Sequence, residues 1–63
     1  MRINGEYVSI VSMMLSSVIS MKGYDKDKIA VELNGIVVSR KNYETTEISD
    51  NDILEIVCFV GGG

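Results

Sequence analysis

Hydrophobic and polar positions along the chain change period several times, and each change marks an element. In Arg2-Ile3-Asn4-Gly5-Glu6-Tyr7, apolar residues flank Asn4-Gly5. That dipeptide suits a type I′ hairpin, whose two central residues both need positive φ. The pattern predicts a short first strand over Met1–Ile3 and a second over Tyr7–Val11. Alternation puts Val8 and Ile10 on one face of the second strand and Tyr7, Ser9 and Val11 on the other. From Ser12 the period becomes helical: Met14, Leu15, Val18 and Ile19 form one stripe, with Ser16, Ser17 and Ser20 mainly opposite. A helix is predicted from about 13 to 22, with Ser12 as its N-cap, Lys22 at the negative end of its dipole and Gly23 just beyond. Its serines and β-branched residues give it low intrinsic propensity, so packing must hold it.

A charged loop, Tyr24–Lys28, leads to a predicted strand at Ile29–Leu33 with Ile29, Val31 and Leu33 facing the core. Asn34-Gly35 is a second hairpin signal, followed by a short strand, Ile36–Val38. Arg40–Asn51 reads as a polar loop anchored by Tyr43 and Ile48, and Ser49–Asp52 as a turn. Ile53–Val60 is the strongest strand signal. The order β-β-α-β-β-β implies an α+β fold: a mixed sheet with one helix across a face and the last strand beside the first.

Composition narrows the function. A chain of 63 residues with 46% hydrophobic and 24% charged residues is one small globular domain, with no room for an interdomain cleft. Without histidine, a Ser-His-Asp or Cys-His nucleophile system is impossible, and one cysteine cannot complete a zinc site with nitrogen and sulfur ligands. The net charge of −3 argues against nucleic acid as a partner. The uncharged stretch Tyr7–Met21 is too short to span a bilayer, carries five serines and lacks a signal-peptide pattern. With the lone Cys58, this points to a cytoplasmic protein without membrane association.

The segment Ile29-Ala30-Val31-Glu32-Leu33-Asn34-Gly35 and the ending Glu55-Ile56-Val57-Cys58-Phe59-Val60-Gly61-Gly62-Gly63 together resemble the ThiS sulfur carriers of thiamine (thiazole) biosynthesis. That family has the ubiquitin-like β-grasp fold, and the resemblance covers the whole chain. It implies a β-grasp domain over 1–60 and a flexible glycine tail over 61–63. It also implies a protein co-substrate rather than an enzyme. The carboxylate of Gly63 would be adenylated by a ThiF-like enzyme that uses ATP, the chain itself binding no cofactor. A cysteine-derived donor, such as a cysteine desulfurase, would supply sulfur for a thiocarboxylate, and thiazole synthase would receive it. Gly62 and Gly63 carry over as the reactive tail and Gly61 as an added flexible position. The turn before the last strand is Asn51-Asp52 where the family usually has Gly-Asp; Asn tolerates left-handed backbone, so the turn is expected to persist. Two other readings stay open: a molybdopterin-synthase small-subunit-like carrier, and a noncovalent β-grasp module whose tail is inert.

Glycine at the tail also has a physical reason. A carboxylate threaded into another protein's ATP site must arrive as a narrow strand, and every Cβ widens it. In the last strand, alternation places Leu54, Ile56, Cys58 and Val60 on one face and Ile53, Glu55, Val57 and Phe59 on the other. Glu55 turns the second face outward, making Val57 and Phe59, with Val60 and Gly61 beyond, a candidate partner-binding stretch; a loop near Tyr43 covering them is the competing reading. Cys58 reads as a small hydrophobe at the fading end of the buried row. The methionines (Met1, Met13, Met14, Met21) read as packing. Asp25, Asp27, Asp50 and Asp52 lack calcium-loop spacing and read as solvated loop residues rather than metal ligands.

Overall fold

The computed structural model describes residues 1–59. Both Asn-Gly hairpins form as the sequence predicts. Asn4 and Gly5 have φ of 52° and 86°, and Asn34 and Gly35 have 52° and 83°. The first turn joins β1 (Arg2–Ile3) to β2 (Glu6–Tyr7), and the second joins β4 (Ile29–Leu33) to β5 (Ile36–Val38). With β7 (Ile53–Cys58) they make a five-stranded sheet in the order β2-β1-β7-β4-β5. The β1–β7 pair is parallel, with Arg2 opposite Ile53, and the other pairs are antiparallel. The chain's last strand therefore enters beside its first, in the centre of the sheet.

The second strand ends at Tyr7 rather than continuing to Val11. Val8 and Ile10 still pack against the core and Val11 is exposed, so the expected alternation survives without a strand partner. Ser12 is not a helix cap. It opens β3 (Ser12–Met14), which pairs with β6 (Glu47–Ser49), a strand inside the stretch expected to be a loop. The Ser12 hydroxyl donates to the Glu47 carboxylate instead. The helix, α1, is accordingly shorter than predicted, spanning Leu15–Met21. Carbonyls of the returning chain cap its start: Leu15 N–H donates to Thr46 O at 2.7 Å and Ser16 N–H to Tyr43 O at 2.8 Å. Two unpaired amides of the first turn are satisfied by tertiary contact, which a local capping pattern does not reveal.

The helix end follows its sequence signal. Gly23 takes φ 79°, Tyr24 N–H reaches Ile19 O at 3.1 Å and Gly23 N–H reaches Ser20 O at 3.0 Å. These two bonds close the chain's exit from the helix. The stripe Leu15, Val18 and Ile19 is buried against Ile3, Val31, Leu54 and Ile56 of the sheet, with Ile48 and Tyr43 closing the side of the core. Met14 remains exposed, because it belongs to β3 rather than to the helical stripe. Burial of such side chains contributes about 1.5–3 kcal/mol each before conformational entropy is subtracted. No helix among the described residues is long and apolar enough to cross a membrane.

Asn51 does not use the left-handed backbone expected of it. The turn before β7 closes through Asp52, whose N–H donates to Ser49 O at 3.1 Å while its carboxylate accepts from Ser49 N–H at 2.8 Å. A side-chain acceptor thus does the work for which the family pattern uses glycine.

Candidate functional site

The site follows from how β7 is held. On one flank β4 pairs with it along its length, from Leu33 opposite Leu54 to Ile29 opposite Cys58. On the other flank β1 is too short, ending with Ile3 opposite Leu54. The Asn4 side chain extends that ladder: its Oδ1 accepts from Ile56 N–H at 2.8 Å and its Nδ2 donates to Ile56 O at 3.1 Å. Asn34 does the same beyond the end of β4, accepting from Ile53 N–H at 2.9 Å and donating to Asp52 Oδ1 at 3.0 Å. The two turn asparagines are therefore clamps on β7 as well as hairpin residues. After Cys58, Phe59 N–H still donates to Lys28 O at 3.1 Å, which directs the chain along β4 up to the last described residue.

Alternation along β7 follows the sequence prediction as far as Val57. Leu54 and Ile56 are buried, while Val57 and Phe59 are 61% and 62% exposed. Tyr43 lies in the core instead of over them, so the loop-covered reading does not hold. On the same outer face Val57 stands opposite Ala30, and Glu55 stands opposite Glu32, which in turn faces Val37. The result is an apolar strip interrupted by two carboxylates side by side, a like-charge pairing that costs the isolated domain stability. Val60, Gly61, Gly62 and Gly63, the rest of the predicted site, lie outside the described residues.

Cys58 departs from expectation: it is exposed. Its parity matches Ile56, but β1 and the Asn4 clamp stop short of it, leaving β4 as its flanking strand. The loop carboxylates do more than solvate the surface. Asp25 accepts from Asp27 N–H at 2.9 Å, and Asp27 pairs with Arg40 at 2.6 Å. The Ile10 amide, the Met1 amine and the Tyr7 hydroxyl all donate to Asp50, holding its carboxyl below the usual range. The Ser49 amide and then the Asn34 side chain do the same for Asp52. The Asp27 and Ser49 amides are local donors, but Arg40 at Asp27, Asn34 at Asp52 and all three donors to Asp50 come from distant elements, which sequence reasoning does not bring together. Among the described residues, no three His, Cys, Asp or Glu side chains converge as metal ligands do.

The ThiS family profile matches residues 1–63. The chain belongs to the ThiS family. Its structure superimposes on the crystal structure of the thiamine biosynthesis protein ThiS from Geobacter metallireducens with a TM-score of 0.82 and 30% identity, covering 98% of this chain and 96% of that one. The fold is thus the ubiquitin-like β-grasp that the resemblance implied. A stretch of a thiazole synthase from Paramagnetospirillum magneticum is 40% identical over 62 residues, 97% of this chain, which spans 19% of that protein. The sulfur carrier protein ThiS of Bacillus subtilis is 43% identical over 35 residues, 56% of this chain and 53% of its own length.

Proposed function

We propose that this chain is a sulfur carrier of thiazole formation, a co-substrate rather than an enzyme, acting in the cytoplasm. The observation that carries the reading is a ThiS-family domain whose central strand, clamped on both flanks, leads into Gly61-Gly62-Gly63. A ThiF-like enzyme would adenylate the Gly63 carboxylate with ATP, releasing pyrophosphate. The persulfide of a cysteine-derived donor would then attack the acyl carbon and expel AMP, and a thiol reductant would cleave the resulting acyl disulfide to leave a thiocarboxylate and the donor's thiol. The chain holds no cofactor in this scheme. Its contribution is to hold β7 on both flanks and to follow it in sequence with three glycines, which add no side chain to the segment that must enter the partner's ATP site. The exposed Val57 and Phe59, with Val60 and Gly61, form the docking stretch at the base of that tail.

Thiazole synthase is the proposed acceptor. Alignment of nearly the whole chain to part of a protein of that name supports the thiazole branch over the molybdopterin one. Incubation with ATP, a ThiF-like enzyme, a cysteine-derived sulfur donor and a thiol reductant tests the reading by mass spectrometry. A carrier passes through an adenylate and ends about 16 Da heavier, one oxygen of the carboxylate replaced by sulfur. An unchanged mass would identify a noncovalent module with an inert tail.

A further inference from the structure

The helix side of the molecule carries a groove of about 710 Å³ between α1, the turn at Lys26–Lys28 and the turn at Arg40–Asn42. This volume falls within the range of small-ligand sites, about 300–1,000 Å³. Three of the six cationic side chains of a chain with net charge −3 line it: Lys26, Arg40 and Lys41. Asp27 and Glu44 also stand on its wall, and Asp27 is taken up by Arg40. That pairing uses one Arg40 nitrogen, so most of the five N–H donors of its guanidinium are free to turn to another acceptor.

Tyr43 supplies a further donor. It is 3% exposed, and the surface it retains lines this groove. Among the described residues nothing hydrogen-bonds its hydroxyl, whose oxygen is not sealed off from solvent. Burial raises the Tyr43 pKa while the charge of Arg40 opposes that rise, so the guanidinium acts on the ring from nearby. Tyr43 is thus buried except for a small surface at the groove, and its hydroxyl, open to solvent, has no protein partner among the described residues. Water satisfies a hydroxyl open in this way, and an anionic acceptor that displaces the water accepts from the same O–H. Ser16 and Ser20 bring two more hydroxyls to the same wall.

We propose that this groove binds a small molecule through an oxyanion, a phosphate or carboxylate group, held by the Tyr43 hydroxyl and the Arg40 guanidinium with Lys26 and Lys41 at the rim. Tyrosine, guanidinium and ammonium groups all offer protons, and an acceptor-only anion answers all of them. The groove is separate from the outer face of β7, yet the turn whose Lys26 and Asp27 line it also accepts the Phe59 N–H, at Lys28 O.

Backbone amide NMR shifts of the full chain, followed during titration with inorganic phosphate, citrate or chloride at matched ionic strength, test this. Saturating shifts centred on residues 16–20 and 40–44 with phosphate or citrate, but not chloride, are expected, and the anion that saturates separates a phosphate source from a carboxylate one. Tyr43→Phe keeps the buried ring and should weaken binding about fivefold, the loss of one hydrogen bond. Arg40→Gln should weaken it by about tenfold with Tm unchanged, as for one charge-assisted contact. Equal, unsaturating responses to all three salts, or saturation unaffected by either substitution, would overturn the proposal.

Discussion

Phe59 is the residue whose exposure has the clearest consequence. A ring 62% exposed adds little to the core, yet it stands beside the proposed reactive tail. Phe59→Ala should therefore weaken association with the ThiF-like enzyme by about 1–3 kcal/mol, as loss of an aromatic anchor does, and leave Tm nearly unchanged. Binding titration alongside thermal melting checks both halves; a fall in Tm with unaltered binding would make Phe59 a folding residue. Asp50 and Asp52 act through protonation. Donated hydrogen bonds, led by the Ile10 and Ser49 amides, lower both folded pKa values, so the unfolded chain takes up protons at higher pH than the folded one. Their contribution is complete above the unfolded carboxylate pKa of about 3.9 and is lost as pH falls through the folded values. Tm should stay level from neutrality to about pH 5 and drop below about pH 4, with a shallower acid drop in Asp50→Asn. A Tm that holds steady throughout acidification would show that these bonds do not stabilise the fold.

At the scale of elements, the two asparagine clamps decide how well β7 is fixed. Asn4→Gly keeps a residue able to adopt φ 52° but removes both bonds to Ile56. It should cost about 1–3 kcal/mol, read as a lower denaturation midpoint, because a sheet amide loses its acceptor. An unchanged midpoint would mean that water replaces the side chain without penalty. The turns themselves were legible in the sequence, because Asn-Gly is the local solution to two successive positive φ values. The strands β4, β5 and β7 were legible too, from alternation bounded by turn residues. The β3–β6 pair was not. Each strand has three residues, too few to show a period, and Met13 meets Ile48 across 35 positions of chain. The same pairing moved the helix start, since β3 occupies the residues that had looked like its first turn. Of the candidate site, the outward face of β7 could be read from Glu55 alone. The groove around Tyr43 could not, because its walls meet only when the chain between Ser16 and Glu44 has folded.

The whole molecule divides its tasks between a small domain that buries its core and a tail that carries the proposed chemistry. A change confined to Gly63 should therefore separate function from stability. Deleting Gly63 leaves a carboxylate on Gly62 but draws it back by about 3.3–3.6 Å. Errors of about 1 Å at a reacting centre can already cost a hundredfold in rate. The deciding measurement is the intact mass of the full-length chain and of the Gly63 deletion after identical incubation with ATP, the ThiF-like enzyme, a sulfur donor and a thiol reductant. The full-length chain should gain about 16 Da while the deletion, with the same Tm, gains none. A deletion variant thiocarboxylated as fully as the intact chain would contradict the carrier reading at its centre.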